Sequence, residues 1–369
     1  MKKIILSAVA VMTLGTLSAT ASETSSTPLF AHASKIKFSG VHYLGFTQKD
    51  MREGAATNNF EVRRNYLQVK AYLLDDPKSY LRVTLDTEYT AKHDDHADVF
   101  AKYAYIYLAD VFANTGVEFG MVHRPWIDYE EHQGWLSRSI SKVFAEASEA
   151  GHLTNSSDLG FNFKTKTPYF TSEVGIFNGE GYHGKNSYTD DDKVDDNIGD
   201  GVSAEWRFTA AIMGNGTSKR KAVKDTYFDA SFFGQYNMDN SANAGETYKI
   251  YGLHTVYNMP SFLVSAQYIM AENDKENSTS YNGQGYSINA TYRFGATKEF
   301  SVIGRYDNWE NEDSTSGVVG DVENNMIYGV AWQQKKNLKW LATGQSYYIE
   351  GANDSKDYNS AMITAEVHW

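Results

Sequence analysis

Nine charged residues define the chemistry open to this sequence: the bases Arg64, Lys70, Arg82, Arg207, Arg293 and Arg305, and the acids Asp128, Glu130 and Glu131. The bases fall inside segments where apolar and polar residues alternate. The acids fall together in one long stretch between such segments. Successive side chains of a strand point to opposite faces, so the parity of the apolar residues decides where the charges go. Leu67, Val69, Ala71 and Leu73 on one face send Arg64, Tyr66, Gln68 and Lys70 to the other. Leu81, Val83 and Leu85 do the same for Arg82, Thr84, Asp86 and Glu88, and Trp206, Phe208 and Ala210 for Glu205 and Arg207. Tyr286, Ile288, Ala290 and Tyr292 oppose Asn289 and Arg293, and Arg305 shares a face with Asp307. Such a set does not make bonds. Bases on a wall facing acids on a loop create a field across a watery gap, which favours small polar or charged solutes over apolar ones. The bland alternative is that these charges only solvate the gap and pair with their neighbours.

Reactive constellations are weaker. No Gly-x-Ser-x-Gly motif occurs, and the ten His supply no visible triad with a nucleophile and an orienting acid. His93-Asp-Asp-His96 has ligand-type side chains but sits in a short loop without a scaffold, so no metal site is assigned there. Asp190 to Asp196, with Asp200, offers hard oxygens for a weakly held Ca²⁺ or Mg²⁺, without the spaced Gly and closing Glu of an EF-hand. With no Cys there is no disulfide framework, thiolate site or Cys-x-x-Cys-His haem attachment, and no cofactor is expected. The acidic balance, a net charge of −12, argues against a nucleic-acid partner.

The elements that must position these charges begin with the two ends of the chain. Met1-Lys-Lys, an apolar core over 4–17 and Ala19-Thr-Ala21 read as a secretory signal peptide over 1–21, too short in its core to span a bilayer. Residues 22–34 are small and polar, a lead-in on the periplasmic side. At the other end Trp369, Val367, Ala365, Ile363 and Ala361 share one face of a strand that stops on an aromatic. That is the look of a barrel-closing strand with its apolar face in lipid and its terminal ring at the interface. Beyond the leader no run of about 18 apolar residues exists. Five Pro against 26 Tyr, 19 Phe and 29 Gly suits many paired strands, tight turns and aromatic girdles.

Between the ends the period-2 pattern predicts a transmembrane antiparallel β-barrel over 35–369, all-β, with about 16 strands. Connections support the count. Tight turns at 75–78, 167–168, 258–261, 295–298 and 335–337 alternate with longer acidic loops. One turn on the short side, 214–225, is long and carries Lys219, Arg220, Lys221 and Lys224. The longest loop, 125–157, follows the fifth strand and holds a helix-capable run over 135–150. Folded inward, it would narrow a lumen wide enough for water. Parity is ambiguous in the fourth and fifteenth strands, so Tyr103, Tyr105, Tyr107 and Lys339 receive no assignment.

Three short patches carry a resemblance. Phe60-Glu-Val-Arg-Arg-Asn-Tyr-Leu67, Tyr80-Leu-Arg-Val83 and Gly120-Met-Val-His-Arg-Pro125 resemble the phosphate-selective porin family, the porin O and porin P group. The resemblance implies a sixteen-stranded pore, commonly a homotrimer, with basic residues along the lumen. The chain departs from it in the 125–157 loop. There Asp128, Glu130, Glu131, Glu146 and Glu149 stand against Arg138 and Lys142, and no lysine cluster for phosphate is evident.

The resulting expectation is a porin in the outer membrane of a Gram-negative cell, surrounded by its lipid. It is a passive diffusion channel for small hydrophilic or charged solutes and not an enzyme. Loop acids at the constriction would lean it towards cations. The alternatives are a phosphate- or anion-selective porin, and a barrel that serves as an enzyme or scaffold.

Overall fold

The computed structural model describes residues 33–89, 97–179, 181, 200–237, 247–273, 282–312, 317–351 and 356–369. The leader, most of the lead-in, the His93–His96 cluster and the Asp190–Asp196 cluster lie outside the described residues.

Strict alternation produces a sheet that closes on itself. Among the described residues the strands are β1 (Ala33–Met51), β2 (Thr57–Leu73), β3 (Tyr80–Tyr89), β4 (Ala97–Phe112) and β5 (Thr115–His123). A short helix, α1 (Pro125–Gln133), precedes β6 (Ser157–Lys166), β7 (Phe170–Gly179), β8 (Asp200–Met213), β9 (Tyr227–Asn237) and β10 (Tyr248–Met259). The rest are β11 (Phe262–Asn273), β12 (Gly283–Phe294), β13 (Phe300–Glu312), β14 (Val319–Lys335), β15 (Leu338–Glu350) and β16 (Tyr358–His368). Each pairs antiparallel with its sequence neighbours, and β1 pairs with β16 to close a sixteen-stranded barrel. Closure leaves no sheet edge, which is what lets a backbone of strands lie in hydrocarbon. At the seam Gly40 and Trp369 exchange backbone hydrogen bonds of 2.9 and 3.1 Å, and the Trp369 indole N–H donates to His42 Nε2 at 2.8 Å.

Parity survives in the burial. Leu44, Phe46, Leu253, Ile288, Val302, Val330 and Ile363 are exposed on the outer face, as a lipid-facing belt requires. Aromatics band its two ends. Tyr292, Phe294, Phe300 and Trp332 stack in succession near the end that carries the start of β1 and the end of β16, here the near end. Tyr286 and Tyr306 meet towards the far end. Amphipathic rings are favoured where hydrocarbon meets water.

Extra residues break the period at several places in the ladders, two of them beside the segment that enters the barrel. Tyr43 pairs with Arg64 and Leu44 with Val62, so Arg63 is a bulge; Thr84 pairs with Tyr103 and Leu85 with Ala101, so Lys102 is another. The second bulge explains the ambiguity of the fourth strand: Lys102 and Tyr103 are consecutive yet both buried. The expected helix over 135–150 is absent. The helix is α1, which starts on Pro125, where a preset φ and a missing N–H cost nothing. Ser137, Ser139 and Ser141 interrupt 135–150, where only Phe144–Glu146 forms a 3-10 turn.

Candidate pore constriction

Arg124 turns the chain off the wall. It follows β5 directly, and its side chain is buried at 2% exposure. Its guanidinium donates to Asp158 (2.9 Å), Gln235 (3.0 Å) and the Gly179 carbonyl (2.9 Å), and pairs with Glu205 at 3.3 Å. One planar fork thus ties β5 to β6, β7, β8 and β9 at the point where the segment 124–156 leaves the sheet.

Apolar contact then fixes that segment against the inner faces of the later strands. Trp126 stacks on Phe233 of β9 with ring centroids 3.7 Å apart and planes 2° from parallel. Ile127, Trp135, Ile140, Val143, Phe144 and Leu153 are buried in one cluster with Ile250, Ile269, Ile303, Trp309, Ile327, Leu341 and Met362, which belong to β10, β11 and β13–β16. Gly151 has φ +69°, and a Cβ there would come within 2.6 Å of the Trp309 ring, so only glycine permits this approach. Fully burying each large side chain contributes about 1.5–3 kcal/mol. Inward-facing Leu341 and Ile349 also explain why β15 has no readable parity. The inside of the barrel is itself partly a core.

The opposite wall stays polar. Arg64 lies over Tyr43 and Tyr66 and pairs with Glu131 at 3.5 Å. Arg82 donates to Gln68 (2.8 Å), and its guanidinium lies 5.0 Å from the Tyr103 ring. Lys70 sits 4.2 Å over Tyr80. Arg207 pairs with Glu173 (3.1 Å) and lies 4.7 Å from the Tyr129 ring of α1. Asp128 faces Lys164 at 3.4 Å, His132 at 3.5 Å and His123 at 3.8 Å. Glu131 is bonded to Arg138, which reaches Glu146 at 2.5 Å.

Four of the nine predicted residues are nearly buried, Arg207 at 3% exposure beside the start of α1 among them. Glu130 is 1% exposed and bonded to Gln267 beneath α1. Arg305 is 3% exposed, bound to Asp307 (2.8 Å) and to the Lys142 carbonyl (2.7 Å), so it holds the loop. Arg293, at 5%, binds Asn258 (3.1 Å) under the 214–225 turn, away from the other eight. Parity tells inside from outside; it does not say what covers the inside. Sequence reasoning missed Lys102, Arg124 and Lys164. A bulge hid the first. Arg124 and Lys164 were visible as charges, without any sign of their partners.

The loop acids are paired or buried: Glu131 with Arg64 and Arg138, Asp128 with Lys164, and Glu130 beside Gln267. Burial alone would raise the Glu131 pKa, but Arg138 and Arg64 hold it down to about 2. Asp128 is likewise held well below the usual range, by His123 and Lys164 against burial. Glu130 moves the other way. Burial lifts it to about 7 against the pull of Arg305 and Gln267. A carboxyl with a raised folded pKa stabilises the packed state fully below its ordinary value of 4.5, and that contribution drains away as pH rises to about 7. The difference is on the order of 3 kcal/mol. Hydrogen exchange in 125–156 is therefore expected to speed up between about pH 5 and about pH 8 beyond its intrinsic pH dependence. Glu130→Gln should flatten that excess without altering ion selectivity. An unchanged excess in the variant would mean that Glu130 does not control docking.

Two cavities flank segment 124–156, and no residue lines both. The far one is about 900 Å³, touches Tyr43, Arg63, Arg64, Lys102, Arg138 and Lys142, and reaches through the wall to the exposed Leu44, Phe60 and Val62. It sits where β2 and β3 part: their ladder runs only from Leu67–Leu85 to Tyr72–Tyr80, and the Asn65 N–H donates to the Asp86 carboxylate instead. The near one is about 530 Å³, between α1 and the 214–225 turn. Among the described residues no group of His, Cys, Asp and Glu is placed to hold a metal.

No family model matches the chain, and no curated relative matches it. Solved structures do. The anion-selective porin of Comamonas acidovorans is similar at 10% identity and TM-score 0.64, over 91% of this chain and 99% of that one. Salmonella typhi OmpF, in complex with daunomycin, is similar at 12% identity and TM-score 0.62, over 91% and 98%. A loop L8 deletion mutant of OmpT, an outer membrane protein of Vibrio cholerae, is similar at 14% identity and TM-score 0.60, over 91% and 99%. The fold of this chain is that of the outer-membrane porin barrels.

Proposed function

We propose that this chain is an outer-membrane porin, a passive diffusion channel for small hydrophilic solutes that leans towards anions. The carrying observation is the charge lining the far cavity: Arg63, Arg64, Lys102, Arg138 and Lys142 against Glu61, Asp86 and Glu146. Such a surplus at close range across a narrow, low-dielectric rim outweighs the acidic net charge of the whole chain, which salt screens within about 8 Å. Segment 124–156 narrows the passage, and solutes move down their gradients past the Arg64–Glu131–Arg138 chain without cofactor or catalysis. The near end faces the periplasm, residues 1–21 direct export, and the protein assembles as a homotrimer, a form in which the Vibrio cholerae OmpT was solved.

Single-channel recording in planar bilayers under a KCl gradient tests both parts. Discrete steps with a reversal potential on the chloride side are expected. Absence of steps would remove the channel reading and return the barrel enzyme and scaffold to first place. A potassium-side potential would overturn the anion preference alone.

A further inference from the structure

We propose that the near cavity is a binding site for compact multivalent anions, built by the long 214–225 turn; it rests on the porin reading only for its orientation. The turn does not hang free. The Gly216 N–H donates to the Pro168 carbonyl at 2.8 Å, and Asn258 Nδ2 donates to the carbonyls of Ala222 (2.9 Å) and Asp225 (2.6 Å). It is thereby held from the β6–β7 turn on one flank and from β10 on the other, and forms one boundary of the cavity whose opposite boundary is α1.

The charges in this cavity do not balance. Its acids are all engaged by cations: Asp128 by Lys164, Glu173 by Arg207 and Lys164, and Asp229 by Arg220. Three more lysines line the same space, Lys70 from β2, Lys166 from β6 and Lys219 from the turn. No ion pair engages them among the described residues, and Lys70 has only the Tyr80 ring. Three like charges converging on one cavity repel one another, and a ligand carrying two or three negative groups relieves that repulsion. The Thr171 hydroxyl in the lining accepts from Arg207 and can give its own proton to a ligand oxygen. A cavity of about 530 Å³ admits an anion whose charges are spread over several carbons, not only a single oxyanion.

Citrate is the probe, with acetate at equal ionic strength as the monovalent control. Calorimetry on the purified full chain in detergent is expected to show citrate binding and no acetate binding. Lys166→Gln and Lys219→Gln should each weaken citrate about fivefold, the scale of one solvent-exposed charge pair, and act together in the double variant. Lys224→Gln, on the same turn but outside the cavity lining, should change affinity less than twofold. In bilayers citrate should block from the near side at lower concentration than from the far side. Equal loss in all three single variants, or no loss in the double variant, overturns the site. Conducting channels that bind no citrate overturn the site and leave the porin reading intact. Binding that the double variant abolishes, in a protein that never conducts, leaves the site and removes the porin reading.

Discussion

Arg124→Ala is expected to be the most damaging single substitution in the described chain, with a loss of about 3–5 kcal/mol. The guanidinium it removes is the cation that meets both Asp158, at 0% exposure, and Glu205, at 4%. Both carboxylates would remain buried with no counter-charge, the situation in which breaking a buried ion pair costs most. Asp158 would still accept the Leu159 and Gly179 N–H groups, each at 2.7 Å, but two neutral donors do not replace the counter-charge. Because Arg124 stands where 124–156 leaves the wall, the damage should reach the passage as well as the fold. Lower thermal unfolding temperature, followed by circular dichroism, and larger, noisier unit currents are expected together. Arg124→Lys keeps the charge but cannot reach Asp158, Gln235 and the Gly179 carbonyl at once, and should fall between the two. A variant as stable as the parent, with unchanged current, would show that apolar packing alone docks the segment.

Glu131→Gln should give the largest change in selectivity. Glu131 bonds both Arg64 and Arg138, so neutralising it frees the Arg64 guanidinium towards the gap, while Arg138 keeps its pair with Glu146. At an effective dielectric of about 20, one unit charge 4 Å away is worth about 4 kcal/mol, and water and salt at the rim screen most of that. A five- to tenfold rise in chloride over potassium permeability, roughly 1 kcal/mol, is the expected remainder. Arg64→Ala should move the ratio the opposite way. The reversal potential in a KCl gradient reads both. A shift towards potassium in Glu131→Gln would mean that the acid acts on the gap as a bare charge and that its ion pairs are not kept.

The sequence alone determined the barrel, because alternation is a local property. Each apolar–polar pair in β2, β3, β8 and β12 names its own faces, and tight turns alternating with long loops need no knowledge of what lies across the sheet. It determined just as directly that Arg64, Lys70, Arg82 and Arg207 point inward. Only the tertiary structure decided what those residues meet. Arg63 and Lys102 are extra residues in register, and a bulge becomes visible only when the partner strand is in place. Leu341 points inward although apolar, since 124–156 lies against it, and Ile349 does so against Tyr347, Tyr358 and Met51; no property of β15 itself announces that cover. Glu130 and Glu131 are adjacent in the chain, yet one is buried beside Gln267 and the other is paired with two arginines. Their opposite pKa shifts follow from that difference in surroundings, and it is the ground on which the proposed selectivity leans to anions where the sequence reading leaned to cations. Charge type is written in the sequence, whereas free charge is what remains after burial and pairing, and both are properties of residues far apart in the chain.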